Sequence, residues 1–257
     1  MKYIAIIPAR YASTRLPGKP LALLGGKPVI QHVYEHVAQC ALTDVLVATD
    51  DERILSAVQG FGGKAVMTRA DHRCGTDRCL EAMNSWLQEH EEVSADELVV
   101  VNVQGDEPFV HPEQISDLCR CFDSSDTDIA TLARPYTAAD TWDDLINPNT
   151  PKVVFTPDMR AVLFSRSVIP YLRNVPQEQW LKQHTFYRHV GMYAYQANVL
   201  RRIAALAPTP LEIAESLEQL RWLENGYTIR VAVTEHATIG IDTPEDLVKA
   251  EQFIHTT

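Results

Sequence analysis

Four short apolar runs, at residues 3–7, 45–48, 65–67 and 98–103, punctuate the first hundred residues of this chain. None alternates cleanly between apolar and polar positions. Each is therefore expected to be covered on both faces, the condition of a strand inside a parallel sheet. Parallel neighbours need long crossover connections, usually helical. The segments at about 29–40, 51–60, 76–90 and 112–122 have helical spacing and supply them, with Pro28 and Pro112 suited to the first turn of a helix. Right-handed βαβ units follow, so the expected fold class is α/β with a mostly parallel, doubly wound sheet. Ligands of such sheets bind beyond the carboxyl ends of the strands, and the residues just after each run are the first place to look for chemistry.

The pattern changes near residue 129. Residues 129–133, 153–156, 161–165 and 189–195 read as strands, the middle two joined by the turn Pro157-Asp-Met-Arg160 into a hairpin. About 131–195 is thus expected to be a β-rich excursion within a single domain covering 1–257. Its hairpin edge is a liability that pairing with a second copy would cover, so a homodimer is expected. Helices at about 196–206 and 212–225 follow, the latter closed by Asn225-Gly226, then a strand at 229–233. The last helix opens at Thr243-Pro-Glu-Asp246, with Thr as N-cap, Pro next and acids in the first turn.

Charge is distributed unevenly. The formal net charge is -11, yet the first 34 residues contain no acid and five cations, Lys2, Arg10, Arg15, Lys19 and Lys27. Three of these fall in the Gly/Pro-punctuated run from Pro8 to Lys19, directly after the first apolar run. Clustered cations in a loop at a strand end suit a polyanion, most simply phosphates; the alternative is a solvated basic surface. The acidic balance of the rest argues against nucleic acid as a partner. The five cysteines show no zinc-type spacing, which points to a reducing compartment. The N-terminal apolar run is too short for a signal peptide and no stretch is long enough to span a bilayer, so a cytoplasmic protein with no membrane association is expected.

Several residues carry possible chemistry. The basic loop has neither GxGxxG nor GxxxxGK[ST], which sets aside dinucleotide folds and P-loop enzymes and leaves a nucleotidyltransferase. Asp106, after the most apolar run, is either a magnesium ligand beside a triphosphate or a turn acid. Asp242 reads alone as a turn residue and gains meaning only if it meets Asp106 in space. Thr49, Asp50 and Asp51 either cap a helix or line a nucleotide cleft. Cys74-Gly-Thr-Asp-Arg78 is either a plain helix start or a site for a base, carboxylate or phosphate. His189 and Tyr193 share one face of an extended segment, as core residues or as ligands of a polyhydroxylated molecule. Glu218 and Gln219 lie on a helix whose exposed face would also explain the charge nearby.

Taken together, these segments resemble the CMP-Kdo synthetases, the 3-deoxy-manno-octulosonate cytidylyltransferases. The matching pieces are Ile7-Pro-Ala-Arg-Tyr-Ala-Ser-Thr-Arg-Leu-Pro-Gly-Lys-Pro20, Val47-Ala-Thr-Asp50, Gly75-Thr-Asp-Arg78, Asn102-Val-Gln-Gly-Asp-Glu-Pro108, Phe164-Ser-Arg166, Arg188-His-Val-Gly191, Leu217-Glu-Gln-Leu-Arg221 and Asp242-Thr-Pro-Glu-Asp246. They span nearly the whole chain in the family's order. The resemblance implies a nucleotide-diphospho-sugar transferase fold, usually dimeric through the excursion, and transfer of CMP from CTP to Kdo in lipopolysaccharide biosynthesis. It implies that Arg10, Ser13, Arg15 and Lys19 hold the CTP phosphates, with Thr49, Asp50, Cys74 and Gly75 near the cytidine. Asp106 and Asp242 would bind Mg2+, and Arg10, Arg15, Lys19 and Asp106 would form the catalytic set. Arg78, Gln104, His189, Tyr193, Glu218 and Gln219 would bind the sugar. Cys74 stands where the family commonly has Ser, and Thr238-Ile-Gly-Ile-Asp-Thr243 replaces Gly-x-Gly-Val-Asp-Thr. The 8-amino analogue of Kdo is the alternative acceptor.

Overall fold

The computed structural model describes residues 1–12, 15–237 and 240–254. The chain divides into two compact units. The first comprises Met1–Ser116, Ala194–Ala204 and the residues from Ala237 onward; the second comprises Asp117–Tyr193 and Ala205–His236.

The first unit is built on four parallel strands. β1 (Lys2–Ala9), β2 (Asp44–Thr49), β3 (Ala65–Met67) and β4 (Leu98–Asn102) lie in the order β4-β1-β2-β3. Ile4, Ile6 and Ile7 of β1 and Val99, Val100 and Val101 of β4 have no solvent exposure. This is why both runs lack polar alternation: a strand covered on both faces gains from apolar side chains at every position, about 1.5–3 kcal/mol for each one fully buried. Helices α1 (Val29–Val37), α2 (Glu52–Gly60), α3 (Gly75–Glu89) and α4 (Pro112–Arg120) follow the four strands in turn. Each begins or ends within three residues of its expected bounds. Pro28 sits at the N-cap of α1, one position earlier than expected. The terminal helix Pro244–Ile254 packs with Leu24, Val29 and Ile241 in a small core of its own.

Two backbone details shape the carboxyl ends of these strands. Gly18 has φ +70°, which lets its N–H reach back to Tyr11 O at 3.0 Å and fold the basic loop on itself. Gly105, after β4, lies so close to β1 that a Cβ there would meet Pro8 O at 2.8 Å. The segment 102–108 can therefore press against the end of β1 only with glycine at that position.

In the second unit β5 (Ile129–Pro135) pairs in parallel with the later strand Ile229–Val233, in register from Ile129↔Ile229 to Ala133↔Val233. β6 (Lys152–Phe155) and β7 (Ala161–Ser165) form the expected antiparallel hairpin, with Met159 at φ 65° in its turn. β6 also pairs antiparallel with β8 (Tyr187–Gln196). The unit is thus larger than the segment 131–195, since it begins at Asp117 and takes in Ala205–His236. The helix expected over 212–225 is two helices, Pro210–Glu215 and Glu218–Glu224. Ser216 breaks it at φ 50°. Side-chain bonds compete successfully with the helix there. Glu215 accepts from Ser165 Oγ at 2.6 Å and Arg166 N at 2.6 Å, and Arg166 Nε donates to Glu215 O at 2.5 Å. Asn225 and Gly226 do close the second helix, Gly226 at φ 81°.

Candidate active site

A cavity of about 350 Å³ opens in the first unit at the carboxyl ends of β1 and β4. Arg10, Arg15 and Lys19 line it from the basic loop, Gln104, Gly105 and Asp106 from the segment after β4, and Cys74, Gly75 and Arg78 from the start of α3. Asp242 completes it from the turn before the terminal helix. That turn is rigidly built: Asp246 accepts from the backbone N–H of Asp242 and from both N–H and Oγ of Thr243. Ile241 N–H donates to Asp106 O at 2.8 Å, which ties the two carboxylate-bearing segments together.

The charges in this cavity are paired in a specific way. The Lys19 ammonium donates to Asp106 and, at 3.0 Å, to Asp242 Oδ1. Arg15 lies 3.1 Å from the other oxygen of Asp242. Asp242 therefore does meet Asp106, the condition on which its reading depended. Two carboxylates already share one cation, and hard oxygen donors of this kind, completed by phosphate oxygens and water, are what a magnesium ion takes. The residues fit such an ion.

Arg78 is 4 % exposed and is committed to its neighbours, donating to Asp50 at 2.9 Å and to the Thr68 hydroxyl. Thr49 is fully buried; its carbonyl accepts from Thr68 N–H and its hydroxyl from Asp51 N–H. Thr49 and Asp50 are not among the cavity-lining residues, and Asp50 reaches the cavity only by holding Arg78. Asp51 is the N-cap of α2, accepting from Arg53 N at 2.9 Å. Ser13 lies outside the described residues. Cys74 caps α3 in an extended conformation, and a Cβ at Gly75 would lie 3.4 Å from the Pro8 ring, so the amino end of a 15-residue helix opens on the cavity wall.

The sequence reading missed His72 and Arg73, which line the same cavity. His72 bonds Glu81, and Glu81 also accepts from Arg69 N–H at 3.0 Å, so one acid on α3 clamps the loop that carries Arg73. His72 and Glu81 are nine positions apart, one in the loop and the other on α3, so no local spacing signals the clamp. Glu107 was missed as well. Burial, reinforced by the neighbouring Asp106 charge, pushes its carboxyl up to about 8, and Oε2 has no hydrogen-bond partner.

Four other residues proposed from the sequence stand in the second unit. His189 Nε2 lies 3.0 Å from the Thr131 hydroxyl, with its ring 5.0 Å from Phe164 and 5.4 Å from Tyr193. Tyr193 stacks edge-on with Trp222 at 5.1 Å, and burial with the nearby Glu218 charge raises its hydroxyl well above the usual range. Gln219 is 4 % exposed, and its Nε2 has no hydrogen-bond partner.

His189 sets a pH dependence. Burial lowers its imidazole to about 3, from an ordinary 6.5. Between those values the unfolded chain takes up a proton that the folded chain refuses, so stability falls as pH drops through that window. We expect a loss of roughly 2 kcal/mol from this group between pH 7 and pH 5. Urea unfolding followed by tryptophan fluorescence, with Trp142, Trp180 and Trp222 all in this unit, measures it; His189→Gln should flatten that part of the profile.

Cations and paired carboxylates beyond the carboxyl ends of parallel strands, without a Walker-type loop, define the class as a nucleotidyltransferase. Residues 4–230 match the protein-family model described as cytidylyltransferase. A 3-deoxy-manno-octulosonate cytidylyltransferase of Bacteroides thetaiotaomicron is 56% identical over 254 residues, 99% of this chain and 98% of the relative. One from Phocaeicola vulgatus is 57% identical over 254 residues, with 99% and 98% covered. The solved CMP:2-keto-3-deoxy-manno-octonic acid synthetase complexed with CTP superposes with a TM-score of 0.87 at 43% identity, covering 100% of this chain and 99% of the other. The chain belongs to the cytidylyltransferase family, among its 3-deoxy-manno-octulosonate members. Among the described residues no helix is long and apolar enough to cross a membrane.

Proposed function

We infer that this chain transfers the cytidylyl group of CTP to the anomeric hydroxyl of Kdo. The sugar oxygen attacks the α-phosphorus in line; the new P–O bond forms as the bond to the β-phosphate oxygen breaks. Pyrophosphate leaves and the hydroxyl proton passes to solvent. The observation that carries this reading is the convergence of Lys19, Asp106 and Asp242 in the cation-lined cavity.

The work is positioning and charge neutralisation. Arg10, Arg15 and Lys19 receive the triphosphate, with Ser13 expected alongside, and Lys19 and Arg15 offset the charge that builds on the leaving pyrophosphate. Cys74 and Gly75 offer backbone N–H groups at the start of α3 to the nucleotide. Thr49 and Asp50 act through the wall, by fixing Arg78. Asp106 and Asp242 would hold Mg2+, which when bound neutralises the triphosphate and lowers the pKa of the attacking hydroxyl. Arg78 and Gln104 are proposed as sugar-binding residues. His189, Tyr193, Glu218 and Gln219 are proposed for the same role, Gln219 most directly, since its buried Nε2 has no hydrogen-bond partner.

Pyrophosphate release with CTP and magnesium tests this, comparing Kdo, its 8-amino analogue and sialic acid. Turnover with Kdo far above the other two is expected. Turnover with sialic acid alone would overturn the reading. We further propose a cytoplasmic enzyme, one domain in function, that forms a homodimer through the hairpin-bearing segment 131–195. Light scattering at micromolar concentration should give twice the 28.9 kDa chain mass, and a monomer there would refute the dimer.

A further inference from the structure

We propose that Lys19 keeps the metal site closed in the free enzyme and yields it when a nucleoside triphosphate arrives, so that divalent metal and CTP bind interdependently. The proposal rests on the reading of Asp106 and Asp242 as metal ligands. Lys19 is not merely near these carboxylates. Its ammonium donates to both, and Arg15 takes the remaining oxygen of Asp242 at 3.1 Å. Two cations and two anions cancel, so a divalent ion approaching this cluster meets no net attraction and must also displace an ammonium from between its ligands.

A triphosphate meets a different surface. Arg10 and Arg73 line the same cavity and make no ion pair among the described residues, so they can receive a polyanion without giving up a partner. Phosphate oxygens close to Arg15 and Lys19 then compete with the carboxylates for both cations. The backbone need not move. Gly18 and Lys19 are fixed by bonds from their N–H groups to Tyr11 O and Leu16 O, and the flexible Lys19 stem alone can carry the ammonium from carboxylate to phosphate. Once it has moved, Asp106 and Asp242 are left as an unpaired dianion beside a phosphate chain, which is where a divalent cation binds well.

The test measures metal binding without nucleotide or turnover. Manganese(II) is titrated into the protein and the free ion is followed by electron paramagnetic resonance, in the wild type, Lys19→Met, Lys19→Arg, Arg15→Met and Lys19→Met/Asp106→Asn. We expect Lys19→Met to bind manganese at least about tenfold tighter than the wild type. Lys19→Arg should stay near the wild type, and Arg15→Met should show a smaller rise. Asp106→Asn should abolish the gain. Equal or weaker binding by Lys19→Met, with binding still lost on Asp106→Asn, would overturn the gate and leave the metal site standing. Binding indifferent to Asp106→Asn would overturn the metal site and the gate with it.

Discussion

Asp106→Asn is expected to lower kcat by about 10²-fold or more at saturating magnesium while leaving the unfolding midpoint nearly unchanged. The substitution keeps the size and planarity of the side chain and removes only its charge. Lys19 retains Asp242 at 3.0 Å, so the loop is not left with an unpaired buried cation. Steady-state pyrophosphate release and a urea titration on the same preparation separate the two effects. A rate within a few-fold of the wild type would remove Asp106 from the chemistry. A collapse of stability would show it to be a structural acid.

The largest expected loss of stability comes from Asp50→Ala. It leaves the Arg78 guanidinium, whose side chain is 5% exposed, with the Thr68 hydroxyl and no counter-charge. Removing one partner of a buried ion pair typically costs about 3–5 kcal/mol, because the other charge stays buried and uncompensated. Arg78→Met in the same chain should recover much of that loss, since no orphan charge then remains. Urea unfolding of the two single variants and the double variant measures the coupling. A loss below about 1 kcal/mol for Asp50→Ala would mean that water or a neighbouring acid takes over Arg78.

The strands of the first unit were legible because burial on both faces leaves a plain mark, an unbroken apolar run such as Leu98-Val-Val-Val101. Its helices were legible from spacing and from prolines at their starts. The basic loop, Asp106 and Cys74-Gly75 were legible for another reason: each follows a strand or opens a helix where open α/β sheets place their ligands. What the sequence hid was pairing. Arg78 reads as part of a plain helix start or of a site for a base, carboxylate or phosphate, and only the fold brings Asp50, just beyond β2, to neutralise it. Ser216 reads as mid-helix, and only the bonds from Ser165 and Arg166 to Glu215 make its break worthwhile. Arg73 sits between more conspicuous neighbours, and its place on the cavity wall depends on a clamp between His72 and Glu81 that no local pattern announces. The second unit was underestimated in extent, because the parallel partner of β5 is the strand Ile229–Val233, far along the chain.

The convergence of Lys19 with Asp242 spans 223 positions of sequence. Ribosomes add about 5–20 residues per second, so on the order of 10 to 45 seconds separates the synthesis of the first partner from that of the second. Lys19 and Asp106 can meet during that interval; the third member cannot join them. A nascent chain, or one cut short before residue 242, can thus fold its early strands and still lack half of its acidic pair. Competence arrives only once residue 242 has been made, and a shorter nascent polypeptide has no complete centre with which to consume nucleotide.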